Sequence, residues 1–516
     1  MSADMTEQAY AAIAAACDRL LRAPDTSLGR VAIPLLHVIN EHPSCLAQYA
    51  PLLPSSSVTR SRPSPFTLLN SARVAARAGR AVTRLFRPPE SLTQARALGQ
   101  VDVLIISHLV SLSLLDTPDD FYFGALQSSL RERGVTSALV LLNHLHGEDA
   151  RRAYTMRSFP ATRMILPRTV LPRVEAQIWR QCAAARGYLR QAAHEAHDTV
   201  DQAVAKLASH HALSAGTAEN LRLHACISDV CHLLNPRIII TTHEGDASER
   251  MIWHAARSAG RRPLCVGYQH ARLFARAHAI RRSLGVPGID CDPDVILTQG
   301  EIPHAALAAS PGLGSIRLIA YGSHRRAEPM TLPALDERPR SCLVLPDGDD
   351  GECSILFEFA LACARRAPEI AFALRPHPSV DFTALRSRHS ALRQLPDNVT
   401  LSVSGTLDQE CARARYCLYR GSSAVIQAVL AGIKPFYVAR AGELPFDSLF
   451  ALPYWRETLM SPEDFVTRVR ATDASPDQDA ARRAWAFCDR YVSRVRPAAI
   501  DELLEMVGAP VREPAQ

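Results

Sequence analysis

The sequence predicts an α/β protein made of two Rossmann-like domains facing across a cleft, with an extra, mostly helical N-terminal region. Three observations carry this expectation. Short β-rich runs alternate with amphipathic helical stretches from Val101 onward, the pattern of parallel sheets with crossover helices. The alternation breaks at about 321–340 and then restarts. The chain has 516 residues, too many for one ordinary core at roughly 150 residues per domain.

In chain order, residues 1–50 read as mainly helical, with an apolar segment "VAIPLLHVI", and 51–65 as a Pro/Ser linker. "FTLLNSARVAARAGRAVTRLFR" (66–87) places Arg73, Arg77, Arg80, Arg84 and Arg87 three and four residues apart beside an apolar stripe. That spacing predicts a basic amphipathic helix, either solvated or docked on an anionic membrane surface or a partner. "VDVLIISHL" is a strand, "FYFGALQSSLRERG" a helix closed by Gly134, and "TSALVLLNH" the next strand. A helical tract covers about 172–233. It is followed by "PRIIITTHE" (strand), "ASERMIWHAARSAG" (helix), and the strands "RPLCVGYQH" and "PDVILTQG". The second half repeats the theme. "SCLVLPDG", "EIAFALRPHP", "NVTLSVSG", "ARYCLYRG" and "IKPFYVAR" read as strands, separated by helices such as "ECSILFEFALACARRAP" and "SSAVIQAVLAG". The expected division is 1–95 (N-terminal region), 96–325 (first Rossmann-like domain with a long helical insertion), 326–460 (second domain) and 461–516 (closing helices).

Composition narrows the function classes. No apolar run reaches the ~18–20 residues of a membrane span, and "MSADMTEQAY" is acidic where a signal peptide is basic, so the expected location is cytoplasmic. Thirteen cysteines without a C-x-x-C pair read as reduced, buried small hydrophobes. The net charge of +6 is concentrated locally, with six arginines and no acid between Ser61 and Pro89. Without aromatic-interleaved basic strands it does not indicate nucleic-acid binding.

Two stretches suggest chemistry. In "ALRPHPSVDF" each proline holds the preceding residue extended, so Arg375 and His377 are presented on a stiff strand end, followed by Pro378. Strand ends are where ligands sit in open α/β sheets. In "YRGSSAVIQAVLAG", Gly421 permits a tight turn, and Ser422 and Ser423 stand where a helix begins; hydroxyls and free N–H groups there suit an anion. "DGDD" (347–350) imitates an Asp-x-Asp metal motif, while His144/His146 and His194/His197 lack a full ligand set; no metal is expected.

The His-Pro strand end, the Gly-Ser-Ser helix start and the "GIKP" strand start resemble the C-terminal half of bacterial GT-B glycosyltransferases of surface polysaccharides. The likeness is greatest to those using CMP-activated sugars, the sialyltransferases and Kdo transferases. "PRIIITTHEGDASERMIWHAARSAGRRPLCVGYQHA" is similar to a segment of polysialyltransferase-like and teichoic-acid-type glycerophosphotransferases. The "LIISHL" to "LLNH" stretch looks like the opening of surface carbohydrate biosynthesis proteins. The resemblance spans roughly 100–440 and implies a GT-B-like fold and a metal-independent, inverting glycosyltransferase. Its donor would be a nucleotide-sugar, CMP-linked, and its acceptor a glycan or lipid-linked glycan. It also implies donor contacts from Arg375, His377, Pro378, Gly421, Ser422 and Ser423, with Gln427 where many relatives carry a ribose-binding acid.

His377 could protonate the departing phosphate, and the acceptor hydroxyl needs a base from the other domain. Glu244 is the first candidate, with Asp246 and Asp119/Asp120 as alternatives; Glu244 and, more strongly, Asp246 also read as caps of the helix that follows, and Asp120 reads as base, acceptor contact or helix cap. Gln269 and His270 end a strand toward the same cleft. Gly322 and Ser323 sit at the connection, where a backbone bend could approach the donor. A CDP-polyol phosphotransferase, a GT-B epimerase and a non-catalytic GT-B scaffold are the competing readings.

Overall fold

The computed structural model describes residues 5–53, 90–155, 162–167, 169–326, 337–402, 405–475 and 477–508. The predicted basic helix at 66–87 lies outside them.

The first domain has seven strands: β1 (Val103–Leu109), β2 (Ser137–Asn143), β3 (Arg163–Ile165), β4 (Ile238–Thr242), β5 (Leu264–Gln269), β6 (Val295–Thr298) and β7 (Arg317–Ala320). They form one parallel sheet in the order β3-β2-β1-β4-β5-β6-β7. The second has six: β8 (Ser341–Leu345), β9 (Ala371–Leu374), β10 (Val399–Leu401), β11 (Tyr416–Tyr419), β12 (Lys434–Val438) and β13 (Glu457–Leu459). These are also all parallel, in the order β10-β9-β8-β11-β12-β13. Counted from its own first strand, the second order is 3-2-1-4-5-6, the doubly wound Rossmann arrangement, and the first is the same with a seventh strand added at the edge. Central strands such as β1, β4 and β11 are buried along nearly their whole length, as parallel strands covered on both faces must be.

Sequence periodicity did not reveal β3, β7 and β13. Each lies at a sheet edge and has only three or four residues, too short for a repeat to register.

The helical tract resolves into three helices, Pro172–Glu195, Thr199–His211 and Ala215–Leu234. Asp198 and Ser214 cap the second and third, and Asn235 closes the last in the left-handed conformation. Together with the N-terminal helix Glu7–Leu21 they cover one face of the first sheet. Ile13, Cys17 and Leu21 share a core with Ile178, Leu189, Val204 and Ile227. Residues 5–53 are thus part of the first domain's packing. The closing helices divide between domains: Pro462–Ala474 packs on Asp350–Arg366, Gln478–Tyr491 touches helices of both domains, and Pro497–Met506 returns to the other face of the first sheet.

The ends of β5, β7, β8 and β11 meet across the cleft. Arg272 pairs with Asp347, Gln427 Nε2 donates to Arg325 O at 3.3 Å, and the Phe274 and Phe446 rings lie 6.3 Å apart. The C-terminal ends of both sheets therefore face each other, a GT-B-like architecture. No described helix is long and apolar enough to cross a membrane. All 13 cysteines are free thiols, and all but Cys45 are buried.

Candidate active site

On the first domain, β4 ends in a turn, His243 to Asp246, that enters the helix Ala247–Ser258. Glu249 organises it: Oε1 accepts Glu244 N at 2.7 Å, and Oε2 accepts Gly245 N at 2.8 Å and Asp246 N at 2.9 Å. Asp246 completes the capping box by accepting the N3 amide. Gly245 is obligatory, since φ is 92° and a Cβ would collide with Ala279. Three carboxylates thus share one turn. Burial pushes Glu244, Asp246 and Glu249 up to about 7 each; repulsion by neighbouring carboxylates adds to it at Glu244 and Asp246, while at Glu249 the three backbone hydrogen bonds oppose it.

The backbone of the turn engages Asp246 and Glu249, while the Glu244 carboxylate faces outward into the cleft. Its Oε1 stands 3.6 Å from His270 Nε2, and 38% of its side chain is exposed at the mouth of an otherwise desolvating recess. Burial, with the charges of Arg325 and His108, lowers His270 to about 3. His270 is therefore a neutral neighbour of Glu244 rather than its counterion. Gln269 is spent on the scaffold: Oε1 accepts Gln299 N at 3.2 Å and Nε2 donates to Ala271 O.

Asp120 is held by its own turn. Its Oδ1 accepts Ser107 Oγ at 2.9 Å and the amides of Tyr122 and Phe123 at 2.8 Å. The turn projects an aromatic wall toward His270: the Tyr122 ring meets it edge-on at 4.9 Å, and the Arg325 guanidinium lies 4.1 Å over Phe121. Gly322 and Ser323 were expected to bring the backbone toward a donor. The close approach at Gly322 is instead to Arg494 and Val495, and Ser323 N donates to Ser493 O at 2.9 Å. The fold uses this bend to seat the chain's C-terminal segment.

On the second domain, Arg375 is engaged by the segment after the edge strand β10, donating to Gly405 O at 2.8 Å. His377 and Pro378 are exposed on the tip beyond it. His377 Nδ1 lies 2.7 Å from Ser379 Oγ, and desolvation by its loop, opposed by Asp347, holds the ring below its ordinary pKa. Gly421 has φ 68° and abuts the Phe446 ring, so no side chain fits there. Ser422 is buried. Ser423 takes the N-cap position of the short helix Ala424–Leu430 in a helical conformation, without a side-chain capping bond. The two serines therefore differ: one is packed inside, and the other holds an exposed, uncommitted hydroxyl.

Three groups that sequence reading did not assign join the two rims. Asp347, after β8, pairs with Arg272 and lies 3.5 Å from His42 Nε2, a residue of the N-terminal segment. Burial works against the Asp347 charge, yet His42, Arg272 and His377 outweigh it and bring the carboxyl down to about 2. The Arg272 charge also bears on both Glu244 and His377, lowering each. Asn40, Glu244, Gln269, Arg272 and Phe274 line a small recess of about 20 Å³. The available signals were a second His-Pro at His42-Pro43, and Asp347 in "LPDG", which reads as a metal motif. Its neighbours are otherwise occupied: Asp349 caps the helix that follows and Asp350 pairs with Arg388.

No protein-family model matches the chain, and no curated protein matches it. Among solved structures it is similar to CalG4, the calicheamicin glycosyltransferase, at 14% identity and TM-score 0.45, covering 79% of this chain and 98% of that one. It is also similar to the glycosyltransferase SnogD from Streptomyces nogalater, at 18% identity and TM-score 0.40, covering 79% and 100%. A third is UDP-GlcNAc 2-epimerase from Neisseria meningitidis bound to UDP-GlcNAc, at 11% identity and TM-score 0.41, covering 78% and 100%. The fold and site define a two-domain α/β protein with a polar interdomain cleft; what happens there is argued from its own residues.

Proposed function

We propose that the chain is a glycosyltransferase that moves a sugar from a nucleotide donor to a glycan acceptor in the interdomain cleft. The observation that carries this reading is Glu244: a carboxylate at a strand end, 38% exposed toward the cleft and raised by burial to about 7, lining the recess with Arg272, which pairs with Asp347 of the opposite rim. A base of that pKa is matched to removing a proton from a hydroxyl near neutral pH. As the acceptor oxygen bonds to the anomeric carbon, Glu244 takes its proton, and the bond from that carbon to the donor phosphate breaks. The charge appearing on the phosphate falls to His377, Arg272 and the exposed Ser423 hydroxyl, with no metal in the scheme. One base on the acceptor side supports a single displacement with inversion.

The donor nucleotide is assigned to CMP, carrying an ulosonic acid, on the resemblance of the Arg-Pro-His-Pro and Gly-Ser-Ser stretches, and the acceptor to a surface or lipid-linked glycan. Gln427, already bonded to Arg325 O, offers an amide rather than a carboxylate to a ribose.

A thermal-shift panel with CMP, CDP, UMP, UDP, dTDP and GDP on the wild type and His377→Ala tests the reading, because a ligand of the folded state raises Tm. A CMP shift lost in the variant supports the whole proposal. A shift with UDP or dTDP alone overturns the CMP assignment and keeps a nucleotide-sugar enzyme. No shift with any nucleotide overturns the transferase reading in favour of a scaffold.

A further inference from the structure

A second concavity lies at the far end of the second sheet. Lys434 and Glu457, which line it, are the first residues of β12 and β13, so it opens at the N-terminal strand ends, opposite the cleft. It offers about 320 Å³, at the lower end of the size range of small-molecule sites. Tyr454 and Trp455 supply aromatic surface, and Thr472 and Ser475 supply hydroxyls.

Its charges are mixed. Glu457 Oε1 pairs with Lys434 Nζ at 3.0 Å and Oε2 with Arg468 Nε at 3.2 Å, so one carboxylate is shared by two cations. Arg483 stacks 4.5 Å over the Tyr454 ring, with no carboxylate partner among the described residues. Asp477 is committed to capping the helix Gln478–Tyr491. Lys434, Arg468 and Arg483 against Glu457 and Asp477 leave the pocket one positive charge in excess.

The backbone that presents the aromatics is strained. Trp455 has φ 64°, a left-handed conformation that disfavours any side chain with a Cβ. Arg456 N donates to Tyr454 O at 2.8 Å, closing a three-residue turn with Trp455 at its centre. The turn is anchored where Arg456 pairs with buried Asp447, which also accepts from Tyr419 Oη at 2.6 Å. Glycine or asparagine would hold this turn at lower cost, yet it carries the largest side chain, buried in the core behind the pocket with only its edge on the wall. Held strain of this kind clusters where ligands are gripped.

We propose that this pocket is a second binding site, remote from the cleft, for an acidic sugar residue of a glycan. The half-buried Tyr454 ring, with Arg483 over it, and the exposed edge of the otherwise buried Trp455 ring meet the apolar face of the sugar. Glu457, Thr472 and Ser475 exchange hydrogen bonds with its hydroxyls, and Arg483 pairs with its carboxylate. Sugar hydroxyls both donate and accept, which suits a wall carrying cations and carboxylates together, whereas two carboxylates disfavour a bare phosphate. The assignment is independent of the chemistry in the cleft.

Binding to the full chain is followed by calorimetry and tryptophan fluorescence, with a galacturonic acid tetrasaccharide, neutral maltotetraose and inorganic phosphate as probes. Saturable binding of the acidic tetrasaccharide, weakened about tenfold by Arg483→Ala as for loss of one charged hydrogen bond and unchanged by His377→Ala, supports the site. Trp455→Asn, which keeps a residue tolerant of the left-handed turn, should weaken it too, with Tm lowered because the buried indole's packing is lost. Equal binding of maltotetraose, competition by phosphate at equal strength, full binding by Arg483→Ala, or no saturable binding of the acidic tetrasaccharide overturns the proposal. Because His377→Ala leaves this pocket intact, its failure and failure of the donor reading are separately visible.

Discussion

Arg272 and Asp347 form an ion pair between the end of the fifth strand of one sheet and the end of the first strand of the other, with His42 beside the carboxylate. The pair is largely enclosed, at 19% and 13% side-chain exposure, so removing one partner leaves the other charge poorly solvated. Asp347→Asn should therefore cost about 3 kcal/mol. A double-mutant cycle with Arg272→Ala, read by urea unfolding, should return a coupling above about 1 kcal/mol; strictly additive losses would mean the pair does not join the domains.

The same carboxylate gives a signature in acid. Asp347 is held at about 2, below its ordinary value of 3.8, so its stabilising contribution is present above about pH 4 and disappears as pH falls toward 2. Asp347→Asn should flatten this part of the Tm profile.

Glu244, Asp246 and Glu249 behave oppositely. With folded-state values raised to about 7, they contribute stability that is full below about pH 4 and lost as pH rises through 7. Tm should decline across that window. Asp246→Asn, which keeps a good helix cap, should reduce the slope. A slope identical to the wild type would show that the three groups do not titrate together.

For the proposed reaction, kcat/KM should rise with pH through an apparent pKa near 7 that belongs to the coupled cluster. Glu244→Gln should lower kcat by about 10²- to 10⁴-fold and leave Tm level or higher, since one repelling carboxylate is removed. If Glu244→Gln keeps wild-type turnover, another group is the base.

Gly421→Ala asks for a Cβ at φ 68° against the Phe446 ring. A cost of about 2 kcal/mol or more is expected, with loss of any nucleotide-induced Tm shift, because the Ser422-Ser423 turn must move. Thermal melts with and without nucleotide check both parts.

The hydrophobic pattern made two Rossmann-like domains legible because buried parallel strands such as Ile238–Thr242 and Tyr416–Tyr419 are continuous apolar runs. Edge strands such as Glu457–Leu459 carry no such run and stayed invisible. Local spacing also identified Glu244 at a strand end, Gly421 at a tight turn and His377 on a proline-stiffened tip. Which polar groups are free was a matter of tertiary contact. Arg375 and Gln269 look as available in sequence as Glu244, yet backbone groups brought up by the fold hold both. His42, Arg272 and Asp347 lie far apart in the chain, and only docking of the two sheets, with the N-terminal segment packed between them and the helices, makes them neighbours. Sequence thus determined the elements through local periodicity, and the tertiary structure decided the site, because proximity of distant charges and the desolvation that sets their pKa values arise only when the domains close on each other.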